Sequence, residues 1–277
     1  MEVPNSFFID KSIFIPELEK CGSEALILAP ENFGKSVFME MLASYYDVMV
    51  KDSDFHRLFG RLAISAYPTP TRGTYQVLKL DFVHNPLDNS SLASFHNSLS
   101  KTINDSLEAF YRTHQNVPHI TMHRDGVASL EAFVAKLQKY SVPLLILVNG
   151  YDRHLSAISS KKHRNLQELI NAHTEQHADT LEMMDLAFKK LFEVIKSAVK
   201  AGNARSIISG VHPISLSLPH ATRTPSKSAF VNFQPKFAKL FGMEKTDVKY
   251  GLDLIRPPLS DDHKSRLYSW LEDMHGG

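Results

Sequence analysis

The chain has 277 residues, of which 43% are hydrophobic and 22% are charged, and its formal net charge is +1. That composition is ordinary for a soluble globular protein, and the small net charge argues against nucleic acid or an anionic membrane as a partner. The single cysteine, Cys21, excludes an internal disulfide and a four-thiolate zinc site.

The compartment expected from these features is intracellular, either cytoplasmic or nuclear. A chain with one cysteine suits a reducing compartment. The first twelve residues lack the basic segment and apolar core of a secretory signal. The longest apolar run, residues 142–148, is far too short to span a bilayer.

Apolar runs alternate with amphipathic helical patterns along the chain. Short apolar runs bounded by Gly, Pro or Asn predict strands, and apolar residues at every third or fourth position predict helices. The predicted strands cover residues 24–29, 75–82, 142–148 and 205–211. The predicted helices cover residues 16–21, 34–49, 52–64, 88–111, 129–140, 161–200 in two pieces, 237–241, 246–255 and 260–274. Asn89 or Ser90 is the expected cap of the helix at 88–111.

Residues 25–42 form the most informative stretch. An apolar strand stops at Pro30, a short turn follows, and Gly34-Lys35-Ser36 opens a helical pattern. This is the layout of a phosphate-binding loop, in which amide groups at the helix start and the helix dipole attract an anion. Lys35 can reach a terminal phosphate, and the Ser36 hydroxyl is placed to bind Mg²⁺. The glycine that normally begins the motif is replaced by Ala29.

Polar residues also follow the other three predicted strands. Asp81 ends the second strand, residues 149–152 follow the third, and Ser209-Gly210 ends the fourth. The carboxyl ends of parallel strands share one edge of a sheet, which is where ligands bind in open α/β folds. We therefore expect these residues to gather around Gly34-Lys35-Ser36.

Several motifs resemble the predicted AAA-ATPase-like family of P-loop proteins, in the right order over about residues 7–250. Residues 8–18 (FIDKSIFIPEL) match the family's opening segment, and residues 29–36 (APENFGKS) match its phosphate loop. Residues 68–75 (PTPTRGTY) followed by 78–82 (LKLDF) match a third motif, and residues 209–214 (SGVHPI) match a fourth.

The predicted fold class is α/β, with a P-loop NTPase-type parallel sheet flanked by helices and a small C-terminal helical lid. Residues 1–233 are expected to form the core, on which residues 1–22 pack, and residues 234–277 a small helical subdomain. The resemblance implies that a nuclease-like domain often follows the helical tail, and we expect none within these 277 residues.

This chain departs from the family at the second nucleotide motif. Where the family has Leu-Ile-Asp-Glu-Tyr-Asp, residues 147–152 read Leu-Val-Asn-Gly-Tyr-Asp. The resemblance implies that the first acid orients Mg²⁺ and the second activates the attacking water. Asn149 brings no charge and Gly150 brings no side chain, so hydrolysis should be impaired. Glu31 stands where the family has an arginine and should weaken binding of a triphosphate.

The resemblance therefore implies a nucleotide-binding module that binds ATP and Mg²⁺ and hydrolyses ATP poorly or not at all, with an unidentified protein partner. Alternatives are an active ATPase that uses a relocated acid, Asp152 or Asp81, and an interaction protein without a nucleotide site. The candidate nucleotide-binding residues are Pro30, Phe33, Gly34, Lys35 and Ser36. The candidate metal ligands are Ser36 and Asn149, and the candidate catalytic residues are Asp152 and Ser209.

Other site types are disfavoured. The histidines at 114, 119 and 123, and the pair at 173 and 177, lack a His-Glu-x-x-His pattern and are expected to be solvated. The basic cluster at 161–164 and the loop at 223–227 are expected to be solvated faces. The sequence lacks a Gly-x-Ser-x-Gly motif, which argues against a serine hydrolase.

Overall fold

A computed structural model describes residues 8–153, 175–212, 231, 234–255 and 258–275, with the side chains of 175–185 and 272–275 left out. The strands are β1 (Glu24–Leu28), β2 (Gln76–Asp81), β3 (Leu144–Asn149) and β4 (Ala204–Gly210). The helices are α1 (Ile15–Glu19), α2 (Lys35–Tyr46), α3 (Asp52–Phe59), α4 (Leu92–Thr113), α5 (Gly126–Lys139), α6 (Glu175–Lys200), α7 (Lys245–Leu254) and α8 (Asp261–His275). Short 3-10 turns lie at Ser12–Phe14, Ala63–Ser65 and Pro235–Phe237.

The four strands form one parallel sheet in the order β1-β4-β3-β2. Leu78 of β2 lies opposite Ile146 of β3, and Leu26 of β1 lies opposite Ile208 of β4. All six residues of β3 are buried, which confirms the prediction that this apolar run is covered on both faces. The α/β class with a parallel sheet flanked by helices is therefore confirmed.

Helices cover both faces of the sheet, and each face has its own apolar core. Leu144, Ile146 and Val148 of β3 join one cluster with α4, α5 and α6, whereas Leu145 and Leu147 join a second cluster with α1, α2 and α3. This division follows from the strand geometry, because successive side chains point to opposite faces.

The cap of α4 differs from the prediction. Neither Asn89 nor Ser90 caps it; the hydroxyl of Ser91 accepts a hydrogen bond from the Ser94 amide at 3.0 Å. Ser91 has extended backbone, so its hydroxyl oxygen can reach an amide in the first helical turn. Three neighbouring residues were all suitable caps by type, and only the backbone geometry distinguishes them.

The C-terminal segment contacts the phosphate-loop side of the molecule. The ring of Phe241 lies edge-on to that of Phe38 in α2, with 6.0 Å between the ring centroids. The Gly242 amide donates to the Phe33 carbonyl at 3.5 Å. Near the N-terminus, Lys11 Nζ donates to the Lys239 carbonyl at 2.8 Å. The predicted division at residue 233 remains a prediction. The loop at 217–228 and the first piece of the helix at 161–200 lie outside the described residues.

Within the described residues, none of the helices combines the length and the apolar character needed to cross a membrane.

Candidate functional site

The loop between β1 and α2 turns sharply through two residues with left-handed backbone. Asn32 has φ 64° and Gly34 has φ 90°. Gly34 is the N-cap of α2, and its carbonyl accepts from the Phe38 amide at 3.0 Å. A residue with a Cβ rarely adopts such a φ value, which explains the glycine. The turn leaves the amides of the first α2 turn without carbonyl partners inside the helix.

The Lys35 ammonium lies over the loop that precedes it. Its Nζ donates to the carbonyls of Ala29 at 2.5 Å and Pro30 at 2.6 Å. Burial lowers the pKa of Lys35, while the negative charges of Asp152 and Glu31 oppose that change. The hydrogen bonds of the lysine are therefore made to the protein's own backbone.

Ser36, Asn149 and Ser209 form a hydrogen-bonded chain across the ends of three elements. Asn149 is 6% exposed; its Nδ2 donates to Ser36 Oγ at 3.1 Å, and its Oδ1 accepts from Ser209 Oγ at 2.9 Å. Asn149 Nδ2 also lies 3.4 Å from Asp81 Oδ1. In this arrangement the amide turns its nitrogen, rather than its oxygen, toward Ser36 and Asp81.

Asp81 is the carboxylate beside this chain. Its Oδ1 accepts from the amides of Val83 at 2.9 Å and His84 at 3.1 Å, and its Oδ2 lies 2.7 Å from His84 Nδ1. The hydrogen bond to Asp81 raises the pKa of the exposed His84. Asp81 thus brings a negative charge to the place where Asn149 brings none.

A side chain at position 150 would be strained and would meet a close neighbour. Its φ is 67°, and a Cβ built on it would lie 2.4 Å from Cγ2 of Val83. The Gly150 amide donates to the Ser209 carbonyl at 2.9 Å, which fixes this conformation against β4. A methyl group of Val83 therefore takes up the space beside the Gly150 Cα.

Asp152 is directed toward the end of β4. Its buried Oδ2 accepts from the amides of Val211 at 2.8 Å and His212 at 2.7 Å, and lies 3.0 Å from His212 Nδ1. Burial opposes ionisation of Asp152, but these hydrogen bonds outweigh it and leave its pKa below the ordinary value. The same hydrogen bond raises the pKa of His212, against the effect of burial.

The structure brings Gly34, Lys35, Ser36, Asn149 and Ser209 to one edge of the sheet, as the strand ends predicted. Two further predicted residues contribute differently. The carbonyl of Pro30 accepts from Lys35, whereas the Phe33 ring is 47% exposed at the rim of the loop.

Three neighbours of this site make contacts that the sequence did not predict, although the sequence did place His212 next to the predicted pocket. Val83 fills the space beside Gly150, His212 holds Asp152, and Arg153 Nη1 forms an ion pair with Glu31 Oε1. Glu31 therefore does not present an uncompensated charge to the loop, as the sequence alone implied. The place of His212 near the pocket follows from its position after a predicted strand, whereas nothing local indicates the reach of Val83 or Arg153.

The expectation that the histidines are solvated is wrong for His114. It is 3% exposed; its Nε2 lies 2.9 Å from Asp47 Oδ1 and its Nδ1 lies 3.1 Å from the Phe110 carbonyl. His119 and His123 are exposed, as predicted. Among the described residues, no three His, Cys, Asp or Glu side chains form a metal-binding group. The side chains of 173 and 177, and the basic residues at 161–164 and 223–227, lie outside the described set.

Comparison with known proteins gives one match. The family model described as predicted AAA-ATPase (AAA-ATPase-like) matches residues 1–217. No curated protein and no solved structure matches the chain. The matched region includes all four strands and the phosphate loop, and it supports a nucleotide-binding module. The chain belongs to the AAA-ATPase-like family.

Proposed function

We propose that this protein binds the triphosphate of ATP, with Mg²⁺, at Gly34-Lys35-Ser36 and hydrolyses ATP slowly or not at all. It would then act as a binding or scaffolding module whose shape responds to nucleotide and is read by a protein partner. Family membership and the geometry of the loop support the binding step, and the surroundings of Gly150 support the loss of hydrolysis.

The loop has the donors that a phosphate needs. Free amides at the start of α2 and the positive end of its dipole favour an anion in front of Gly34. The Lys35 ammonium would exchange the carbonyls of Ala29 and Pro30 for phosphate oxygens. The ammonium is charged in both cases, but a phosphate oxygen also carries negative charge, so the exchange adds Coulomb attraction between opposite charges.

The donor set fits a metal ion less well. Ser36 Oγ faces the amide nitrogen of Asn149, so the Asn149 oxygen would reach a metal only after rotation of the amide. Asp81 is the carboxylate close enough to hold a metal-bound water. Mg²⁺ commonly keeps several waters and one or two protein ligands, which is compatible with this set. When bound, the ion would offset the negative charge of the phosphates.

The observation that carries the proposal is the Cβ position of Gly150, 2.4 Å from Val83 Cγ2. The residue has no side chain to orient an attacking water, and the space where one would begin is filled. Loss of a general base typically lowers a rate by about 10²–10⁴-fold. Asp152 offers no direct substitute, because its Oδ2 already accepts from Val211 and His212.

The test combines unfolding and turnover. Mg-ATP at about 100 times its Kd should raise the free energy of unfolding by about 2.7 kcal/mol. Lys35→Ala should abolish this increase, whereas Lys101→Ala, an exposed lysine of α4 that is paired with Asp105, should preserve it. Phosphate release should stay at background. Clear turnover that disappears in Lys35→Ala would refute the loss of hydrolysis.

Asp81 favours one alternative, an active ATPase with a relocated acid. It lies 3.4 Å from the Asn149 amide and is therefore better placed than Asp152. If phosphate is released, Asp81→Asn should abolish the rate and Asp152→Asn should act mainly on stability. The absence of any stabilisation by ATP would instead favour an interaction protein without a nucleotide site, in which Lys35 stays bound to its own loop.

A further inference from the structure

A pocket of about 540 Å³ lies at the opposite end of the sheet from the phosphate loop. Ser23, Tyr75, Pro143 and Asn203 line it, and each directly precedes the first residue of one of the four strands. We call this end of the sheet the amino edge. The volume is within the range of about 300–1,000 Å³ found for small-molecule sites.

Glu19 gives the pocket a fixed negative charge. Its Oε1 accepts from the hydroxyls of Tyr46 at 3.0 Å, Thr69 at 2.7 Å and Thr71 at 2.5 Å. Burial and the charge of Glu19 raise the pKa of Tyr46 far above its ordinary value, which keeps its hydroxyl a donor. The other oxygen, Oε2, has no hydrogen-bond partner among the described residues.

These contacts also explain the motif at residues 68–75, which has no part in the phosphate site. Thr69 and Thr71 belong to the PTPTRGTY segment at residues 68–75, and Tyr75 of the same segment lines the pocket. Arg72 of the same segment forms an ion pair with Asp52 at 2.8 Å, which links the segment to α3. The motif therefore builds the wall of this pocket, far from Lys35.

Arg205 gives the pocket a separate positive charge. Its Nη2 donates to the carbonyls of Gly22 at 2.7 Å and Glu19 at 3.3 Å. Its Nη1 and Nε have no partner in the described part of the chain, and its guanidinium forms no ion pair with the Glu19 carboxylate there. Neutral hydroxyls and carbonyls thus hold the two opposite charges that line this pocket.

We propose that this pocket binds a free α-amino acid. The ammonium group of the amino acid donates to Glu19 Oε2, and its carboxylate accepts from Nη1 and Nε of Arg205. The planar guanidinium of Arg205 matches the geometry of a carboxylate. The ionised carboxylate of Glu19 can only accept hydrogen bonds, so it binds the ammonium and not the carboxylate of the amino acid. The proposal does not depend on nucleotide binding at Lys35.

The first experiment is calorimetric titration of the full chain with each of the twenty L-amino acids. The tightest one is then compared with its N-acetyl form, which lacks the ammonium, and its carboxamide form, which lacks the carboxylate. Each change should weaken binding by at least about tenfold, which corresponds to 1.4 kcal/mol. No binding of any amino acid at about 10 mM, or equal binding of either derivative, would overturn the proposal.

Variants locate the site on the protein. Glu19→Gln and Arg205→Gln should each weaken the titration by about tenfold or more, whereas Glu131→Gln, an exposed residue of α5, should not change it. Lys35→Ala should leave amino-acid binding intact, which separates this proposal from the nucleotide site. Unchanged binding in both Glu19→Gln and Arg205→Gln would place the amino acid elsewhere. The comparison of derivatives on the unaltered chain remains decisive if either variant fails to fold.

Discussion

The two ends of the sheet hold their charged groups in different ways. At the phosphate loop, each charge near the site is already satisfied by a partner: Lys35 by loop carbonyls, Asp152 by His212, and Glu31 by Arg153. At the amino edge, hydroxyls hold Glu19 and carbonyls hold Arg205, so neither charge neutralises the other.

This difference predicts two kinds of binding. A ligand at the phosphate loop must replace hydrogen bonds that the protein already makes, which reduces the net gain from each new contact. A ligand at the amino edge meets a carboxylate oxygen and guanidinium nitrogens without partners in the described chain, in positions fixed by other bonds. Such preorganisation lowers the entropic cost of binding.

The strongest destabilisation should come from a substitution that tests whether the phosphate edge is shaped around a glycine. Gly150→Ala should lower the free energy of unfolding by about 2–5 kcal/mol, from about 1–2 kcal/mol of left-handed strain and about 1–3 kcal/mol of contact with Val83. Urea denaturation measures the change.

Gly202 offers a matched control for this substitution. Its φ is 91°, and nothing lies within 4 Å of a Cβ built there, so Gly202→Ala should show only the strain of about 1–2 kcal/mol. The single variant Val83→Ala has its own destabilisation. After that destabilisation is subtracted, the double variant Val83→Ala/Gly150→Ala should lose less free energy of unfolding than Gly150→Ala. Equal losses for the two glycine variants would contradict the close contact.

A smaller effect tests the amino edge. Tyr46→Phe removes one of the three hydroxyls bonded to Glu19 and should lower the free energy of unfolding by about 1–2 kcal/mol, because a hydrogen bond to a charged group is lost. Tyr140→Phe is the control, since Tyr140 is 56% exposed and Tyr46 only 3%. Stabilisation by Mg-ATP should be unchanged in Tyr46→Phe. A loss of that stabilisation would show that the two ends are coupled through α2.

The smallest effect is a pH dependence at the phosphate edge. The pKa of His212 is raised above 6.5, so its stabilising contribution is complete below pH 6.5 and is lost as pH rises through the folded pKa. The pKa of Asp152 is lowered below 3.8, so its contribution is present above pH 3.8 and is lost as pH falls through its folded pKa. The alkaline change should stay below about 1 kcal/mol, because solvent screens the partly exposed His212 ring.

Urea denaturation between pH 6 and 9 measures this change. His212→Gln should flatten the decline above pH 6.5. The exposed His123, whose ring has no partner among the described residues, provides the control variant His123→Gln. A decline that persists unchanged in His212→Gln would assign it to another group.

Strands β1 and β3 were predictable because each contains a continuous apolar run between residues that break regular structure. Strands β2 and β4 carry shorter apolar stretches, interrupted by Lys79 and preceded by Arg205, and were predicted from those stretches and their flanking residues. Residues 142–148 needed no tertiary information, since a run that is apolar on both faces suits only a covered strand or a buried helix, and its length favours the strand. The helix cap at Ser91 and the burial of His114 were not predictable. Ser90 and Ser91 are chemically identical candidates, and His114 is buried because the distant Asp47 reaches it.

The parallel α/β class, the phosphate-loop motif and the replacement of two acids by Asn149 and Gly150 could all be predicted without a structure. These features reside in neighbouring residues, so periodicity and motif spacing reveal them. Only the tertiary structure placed Val83 against Gly150 and joined Glu19 to Thr69 and Thr71, fifty residues away. Contacts between distant segments depend on how the helices pack on the sheet, and no local sequence pattern predicts them.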